Sequence, residues 1–368
     1  MAPIAVEAYP EECLLRDLLR AHDTDPASPA PVRAPSRDID WEKFLAVIRW
    51  HGVAYAARHG LIRAGSGLVP EPVAQALDRM LLEIRGVNVL LLDRLRRLAA
   101  HLEQAGIPFL ALKGPALVSL LYRDPAERPM GDLDLLIRRG DLGRALEVLQ
   151  GAGLRVPQGG ERRFWESSYH HIALGMGGDL PSLVELHWDL ELRERYPIPL
   201  ERVWAEATTF QCADRPLRTL GRVDQFVFGA IHLARHFHAP RLVWLMDQRR
   251  MARQWTLDWD EIARRAVEYR ARTPLWFVSR YEERIFGDSA LPAHVRPVLR
   301  PAQALLLKAL EGARPLEPLR DVAPESRRIF ATLLFFDRLT DLVRFLVVHA
   351  GRKLAHWSGL ERLRRSRA

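Results

Sequence analysis

The chain has 368 residues, 48% of them hydrophobic and 27% charged, as expected of a soluble globular protein with one large or two smaller cores. Its only cysteines, Cys13 and Cys212, lie too far apart to suggest a disulfide framework or a Cys-based zinc site, and no apolar run approaches the roughly 18–20 residues of a membrane span, so a cytoplasmic location is expected. The formal charge of +8 is almost all arginine and reads as solvated surface, with a basic face that can meet phosphates.

In chain order, Glu11 to Arg20 reads as a short helix and 23–37, rich in Pro, Ala, Asp and Ser, as a linker. Asp40 is placed to cap a helix carrying Trp41, Phe44, Leu45 and Ile48 at helical spacing, and Gly65 to Pro70 breaks the chain again. A long helix follows over Pro72 to Ala105. Its Leu77, Leu81, Ile84, Val87, Leu91, Leu95 and Leu98 step by three and four residues, and Gly106 stops it.

The pattern then changes. Ile107 to Leu112 reads as a strand, Lys113-Gly114-Pro115 as a sharp turn into a helix ending at Tyr122, Leu133 to Ile137 as a second strand, and Asp141 to Ala152 as a helix. Tyr169 to Leu174 and Ser182 to Trp188 are two more strands, so the middle third is α/β. From about Gly221 the reading is helical: Val223 to His236, Leu242 to Trp255, Asp260 to Arg270, Leu275 to Ile285, Pro301 to Leu310 and Arg328 to Val348, with a basic tail from Gly351. The expected architecture is α/β (α+β): a small mixed-sheet core over 81–220, an N-terminal helical region over 1–80, and a C-terminal helical region over 221–368.

Four features in or near the core carry chemistry. Asp132 and Asp134 sit two apart on a strand, so both face one side, roughly 6–7 Å apart, while Leu133 and Leu135 face the core. Such a pair offers hard oxygen ligands to a divalent cation, which would relieve their repulsion; the alternative is a surface strand end with two solvated aspartates. Lys113 and Gly114 stand at a strand-to-helix turn, where backbone N–H groups and the helix dipole favour an anion and the lysine can reach a phosphate; the alternative is a plain turn. Glu185 interrupts the apolar run Leu183 to Trp188 and shares a face with His187, a third carboxylate for a two-metal site or else an edge-strand residue facing water. Arg128 precedes the second strand and is placed to bind triphosphate or pyrophosphate, or is a surface arginine.

Taken together, the Lys113-Gly114 turn, the helix ending Leu121-Tyr122, Arg128, the strand Asp132-Leu133-Asp134-Leu135-Leu136 and the run Val184-Glu185-Leu186-His187-Trp188 resemble the uncharacterised nucleotidyltransferase family of the DNA-polymerase-β-like superfamily. So does His232-x-x-x-His236 followed by Arg241, Leu242, Trp244, Leu245 and Asp247; the likeness spans Leu81 to Gln254. Most superfamily members carry Gly-Ser at the phosphate turn, whereas Gly114 is followed by Pro115.

The resemblance implies transfer of a nucleoside monophosphate from a nucleoside triphosphate to an acceptor, with loss of pyrophosphate. Asp132 and Asp134 would hold one Mg²⁺ (or Mn²⁺). Glu185 would share a second and serve as general base, and Lys113, Gly114 and Arg128 would bind the nucleotide. His187, His232, His236 and Asp247 are candidate acceptor or base contacts. The histidines His232, His236 and His238 lack the H-E-x-x-H glutamate of a zinc protease and read as a polar helix face beside the cleft, while His170-His171 reads as a pair on alternating faces without a chemical role. Trp188, Trp244 and Phe237 either stack on a nucleobase or pack in the core. The acceptor is open: a small molecule, sugar, peptide, protein or RNA. Two other functions compete, an inactive interaction protein that keeps this fold and a nucleic-acid-binding protein; no common nucleic-acid module is present.

Overall fold

The computed structural model describes residues 10–24, 30–33, 39–65, 67–176, 183–237, 240–299, 335–338, 340–348 and 351. Helices α1 (Pro10–Asp23), α2 (Trp41–His51) and α3 (Ala54–Ala64) precede the 34-residue α4 (Glu71–Gln104). The Asp40 carboxylate accepts from the Lys43 N–H and caps α2 as its sequence position predicts.

Then come β1 (Phe109–Leu112), α5 (Gly114–Leu121), β2 (Asp132–Ile137), α6 (Leu142–Gly151), β3 (Leu154–Arg155), α7 (Gly159–Ser168), β4 (His171–Met176) and β5 (Leu183–His187). They build a five-stranded mixed sheet in the order β1-β2-β5-β4-β3, in which β2 and β5 run parallel and the other neighbours antiparallel. Beyond it lie α8 (Leu200–Ala205), the hairpin β6 (Thr208–Cys212) and β7 (Arg215–Thr219), and helices α9 (Arg222–Arg235), α10 (Leu242–Gln254), α11 (Trp259–Glu268) and α12 (Arg272–Phe286).

The α/β class is as expected. Helices α3, α7 and α8, strand β3 and the β6–β7 hairpin are additional to the elements expected from the sequence. That hairpin turns through Ala213 at φ +53° and Asp214, without the Asn-Gly or Asp-Gly cue that normally announces such a turn. The expected helix Pro301 to Leu310 lies outside the described residues, as does most of Arg328 to Val348, of which 340–348 is helical. None of the described helices is long and apolar enough to cross a membrane.

Two apolar cores flank the sheet. Leu133, Leu135 and Ile137 on β2, with Val184 and Leu186 on β5 and Ile172 and Leu174 on β4, pack with α6 and the hairpin in one core. Burying each of these side chains stabilises by about 1.5–3 kcal/mol. The other core joins α1–α3 and α9–α12 to Leu110, Leu112 and Leu136. Helix α4 serves both: Val73, Leu77 and Met80 belong to the helical core, Leu91, Leu95 and Leu98 to the sheet core. Asn88, fully buried where α4 passes from one core to the other, donates to the carbonyls of Pro125 (2.6 Å) and Arg128 (2.7 Å) and accepts from the Met130 N–H (3.0 Å). This amide pins the loop that leads into β2.

Candidate active site

Strand alternation and register assemble the site. Asp134 pairs with Glu185 across the parallel β2–β5 ladder, and Leu136 pairs with His187, so Asp132, Asp134, Glu185 and His187 share one sheet face. The opposite face of both strands is apolar, which locks the register: a slip by one residue would bury the carboxylates in the sheet core.

Asp134 is 1% exposed, and its Oδ1 meets both the Lys113 Nζ (3.1 Å) and the His187 Nε2 (2.9 Å). The same His187 nitrogen lies 3.4 Å from Glu185 Oε2. Burial by itself would raise the Asp134 carboxyl; the Lys113 ammonium and the His187 bond outweigh it and hold the group well below the usual carboxylate range. Burial would likewise lower Lys113 and His187, but the carboxylates around them raise both. Burial would raise Glu185, and the His187 bond brings it below its ordinary value. Asp132 keeps an accessible surface at the cleft mouth, yet the protein packed around it, with the charges of Asp134 and Glu185, pushes it up to about 6.

Three carboxylates thus face one ammonium and one imidazole, an arrangement short of positive charge. Donor atoms of Asp134, Glu185 and His187 all lie within 4.8 Å of one another. Hard carboxylate oxygens held by one imidazole fit a small divalent cation such as Mg²⁺ or Mn²⁺.

Lys113 reaches this place through an unusual backbone, φ +50° and ψ −117°, at the N-cap of α5. Such a conformation costs a side-chain-bearing residue on the order of 1–3 kcal/mol and persists because the packed strand and helix on either side impose it. Gly114 follows because a Cβ there would press on the Met130 side chain and on Arg128 Nη1.

Arg128 is buried against this turn, and its guanidinium is gripped by Asp247 on α10: Nε to Oδ1 at 2.9 Å and Nη2 to Oδ2 at 2.8 Å. The Tyr122 hydroxyl donates to the same carboxylate at 2.6 Å. Asp247, a candidate base from its sequence position, therefore has its oxygens committed to Arg128 and Tyr122. His232 and His236 lie side by side with ring centroids 4.9 Å apart, both against Trp244; burial first, then Lys113, hold His232 well below its ordinary value and keep it neutral. His238 lies outside the described residues. Of the other two aromatic candidates, Trp188 is buried under the Arg139 guanidinium and Phe237 packs on Phe335.

His170 and His171, expected from the sequence to be a pair without a chemical role, also lie here. His171 pairs with His187 across β4–β5, and His170, His171 and His187 form a buried cluster whose donor atoms approach within 4.8 Å. Burial and His187 push His171 down to about 4, and His170 is also held low, so both imidazoles are neutral at the back of the site. The visible signal was a histidine on each of two neighbouring strands; only the antiparallel register makes them meet.

A family model described as "Uncharacterised nucleotidyltransferase" matches residues 37–287. The chain belongs to that family. The match takes in α2 to α12 and thus every residue of the site described above. No curated protein matches this nucleotidyltransferase-family chain. Among solved structures it is similar to the antibiotic-resistance factor ANT(2'')-Ia in solution, at 14% identity and a TM-score of 0.37 over 50% of this chain and 94% of that one. It is also similar to ANT(2'')-Ia in complex with adenylyl-2''-tobramycin (14%, TM-score 0.34, 50% and 98%). An antigenic nucleotidyltransferase-like protein from Paracoccidioides brasiliensis matches at 14% and a TM-score of 0.31, over 58% and 96%.

Proposed function

We propose that this family member transfers a nucleoside monophosphate from a nucleoside triphosphate to a hydroxyl or similar nucleophile, releasing pyrophosphate, at the cluster of Asp132, Asp134 and Glu185. The observation that carries the reading is the pairing of Asp134 with Glu185 across parallel strands, with Asp132 on the same face and the Gly114 turn beside them. Asp132, Asp134 and Glu185 would hold Mg²⁺ or Mn²⁺, which when bound supplies Lewis-acid stabilisation of the phosphoryl oxygens and acidifies the acceptor hydroxyl.

The chain's own residues do the rest. Lys113 gives up part of its contact with Asp134 and meets the triphosphate, whose charge the α5 N-terminus at Gly114 also favours. Arg128, its charge matched by Asp247, keeps Nη1 beside Gly114 and would offer an N–H to the phosphates. As the acceptor oxygen bonds to the α-phosphorus and the bond to pyrophosphate breaks, Glu185 takes the acceptor proton. His187 holds Asp134 and Glu185 in place. In this reading 81–220 is the transfer core, 1–80 and 221–368 supply its walls, and the two free cysteines suit a cytoplasmic setting.

The test is label transfer from each of the four α-radiolabelled nucleoside triphosphates, with Mg²⁺ or Mn²⁺ and a cell extract as the acceptor source. Label should leave the nucleotide for an acceptor, and EDTA should stop it. If no triphosphate gives transfer, pyrophosphate release or a thermal shift, the inactive-scaffold reading takes its place.

A further inference from the structure

Beside the carboxylates, α5, α9 and α10 bound a partly open pocket. Lys113 belongs to both places: its ammonium meets Asp134 and lies 6.0 Å from the ring centroid of Phe228, which lines the pocket. The walls include Leu117, Phe228 and Trp244, and two amides, Gln225 and Gln248. The amides are 4% and 1% exposed. The Thr219 hydroxyl donates to Gln225 Oε1, and among the described residues neither Gln225 Nε2 nor Gln248 Oε1 has a hydrogen-bond partner. A buried amide group left unsatisfied costs about 1–3 kcal/mol, so each of these atoms calls for a partner that the described residues do not supply. One presents a donor, the other an acceptor. The charged pair in the wall, Arg128 with Asp247, is neutralised within itself.

We propose that this pocket receives the heteroaromatic base of the nucleotide, with Gln225 and Gln248 bonding its polar edge and Trp244 and Phe228 against its face. The inference rests on the nucleotidyl-transfer reading above and assigns that reaction its base subsite. An amide donor and an amide acceptor among aromatic walls, where the charged groups Lys113 and Arg128 are each paired with an aspartate, complement a nucleobase edge. Position separates base from acceptor. Leu117 in the pocket wall lies one turn into α5, whose first turn would carry the triphosphate, and a base is tethered to its phosphates by a single ribose. An acceptor must instead approach the α-phosphorus from the side opposite the leaving pyrophosphate. Because amides present either edge by turning over, the pocket assigns a nucleobase as a class. Gly229 belongs to the same device: any side chain there would collide with the Gln248 amide.

The experiment titrates the full chain, in Mn²⁺, with ATP, GTP, CTP and UTP, and separately with inorganic tripolyphosphate. At least one nucleotide should bind more tightly than tripolyphosphate. Gln225→Leu, Gln248→Leu and Gly229→Ala should each weaken that nucleotide by about tenfold, the worth of one hydrogen bond, and Trp244→Ala by at least as much. All four should bind tripolyphosphate as the wild type does, which also shows that they fold. Variants that bind the nucleotide normally would hand the pocket to the acceptor and overturn the proposal, as would variants that lose tripolyphosphate in equal measure. A wild type that binds tripolyphosphate but no nucleotide more tightly loses the base subsite alone. A wild type that binds neither removes the nucleotidyl-transfer reading together with it.

Discussion

The Nε2 of His187 lies 2.9 Å from Oδ1 of Asp134, across 53 residues of sequence, and the same nitrogen reaches Glu185. One imidazole thus sets the position of two carboxylates. Replacing it in His187→Asn should weaken Mn²⁺ binding by about 10–100-fold, the usual cost of losing a group that orients metal ligands. Isothermal titration with Mn²⁺ measures this directly; unchanged affinity would reduce His187 to packing.

Asp134→Asn should abolish transfer, with a rate loss of at least ~10³-fold, because it removes the most enclosed anion of the proposed cation site. Repulsion between Asp132 and Asp134 taken alone predicts a metal-free variant as stable as the wild type or slightly more so. The structure predicts the reverse. Asp134 is bridged to Lys113 and His187, and both lose their closest anion. Urea denaturation in EDTA should show the variant less stable, and Lys113→Met should recover part of the loss.

The pH dependence follows from Asp132. Its carboxyl is raised from about 4 to about 6 on folding, so the folded state binds more protons than the unfolded chain between those values. Stability in metal-free buffer should therefore fall as pH rises from about 4 to about 6, and Asp132→Asn should remove this decline. Asp134 has the opposite sign: its depressed carboxyl contributes stability at all pH above about 4 and loses it only below. Mn²⁺ affinity should rise about tenfold per pH unit below 6 and level off above, as the Asp132 proton is lost. A flat affinity profile from pH 5 to 8 would contradict the coupling of the three carboxylates.

Asn88→Leu should destabilise by roughly 2–4 kcal/mol, since two carbonyls and one N–H of the Pro125–Met130 loop lose their partner inside the protein. Chemical denaturation gives the stability, and a parallel Mn²⁺ titration should show weaker binding because the loop aims the first residue of β2.

Asp247→Ala should cost about 3–5 kcal/mol by leaving Arg128 buried without its counter-charge. The double variant Asp247→Leu with Arg128→Met should be more stable than Asp247→Ala, and its loss of nucleotide affinity should exceed its loss of stability. If Asp247 were instead the general base, Asp247→Asn would lower kcat steeply without a change in stability.

Much of the site was legible in the sequence because strand periodicity is local. Two aspartates two apart must share a face, and a charged residue inside Val184 to Trp188 must face away from the apolar side. Helix α4 and its stop were legible for the same reason, the three-and-four spacing of its leucines. What periodicity does not carry is which strand lies beside which. The parallel register of β2 with β5 brings Glu185 to Asp134, and the antiparallel register of β4 with β5 brings His171 to His187; hydrogen-bond ladders between distant segments decide both. The same holds for Arg128. Its sequence position pointed to a free cation near phosphates, and packing of α10 against α5 gave it a buried carboxylate partner, because a guanidinium taken out of water requires one.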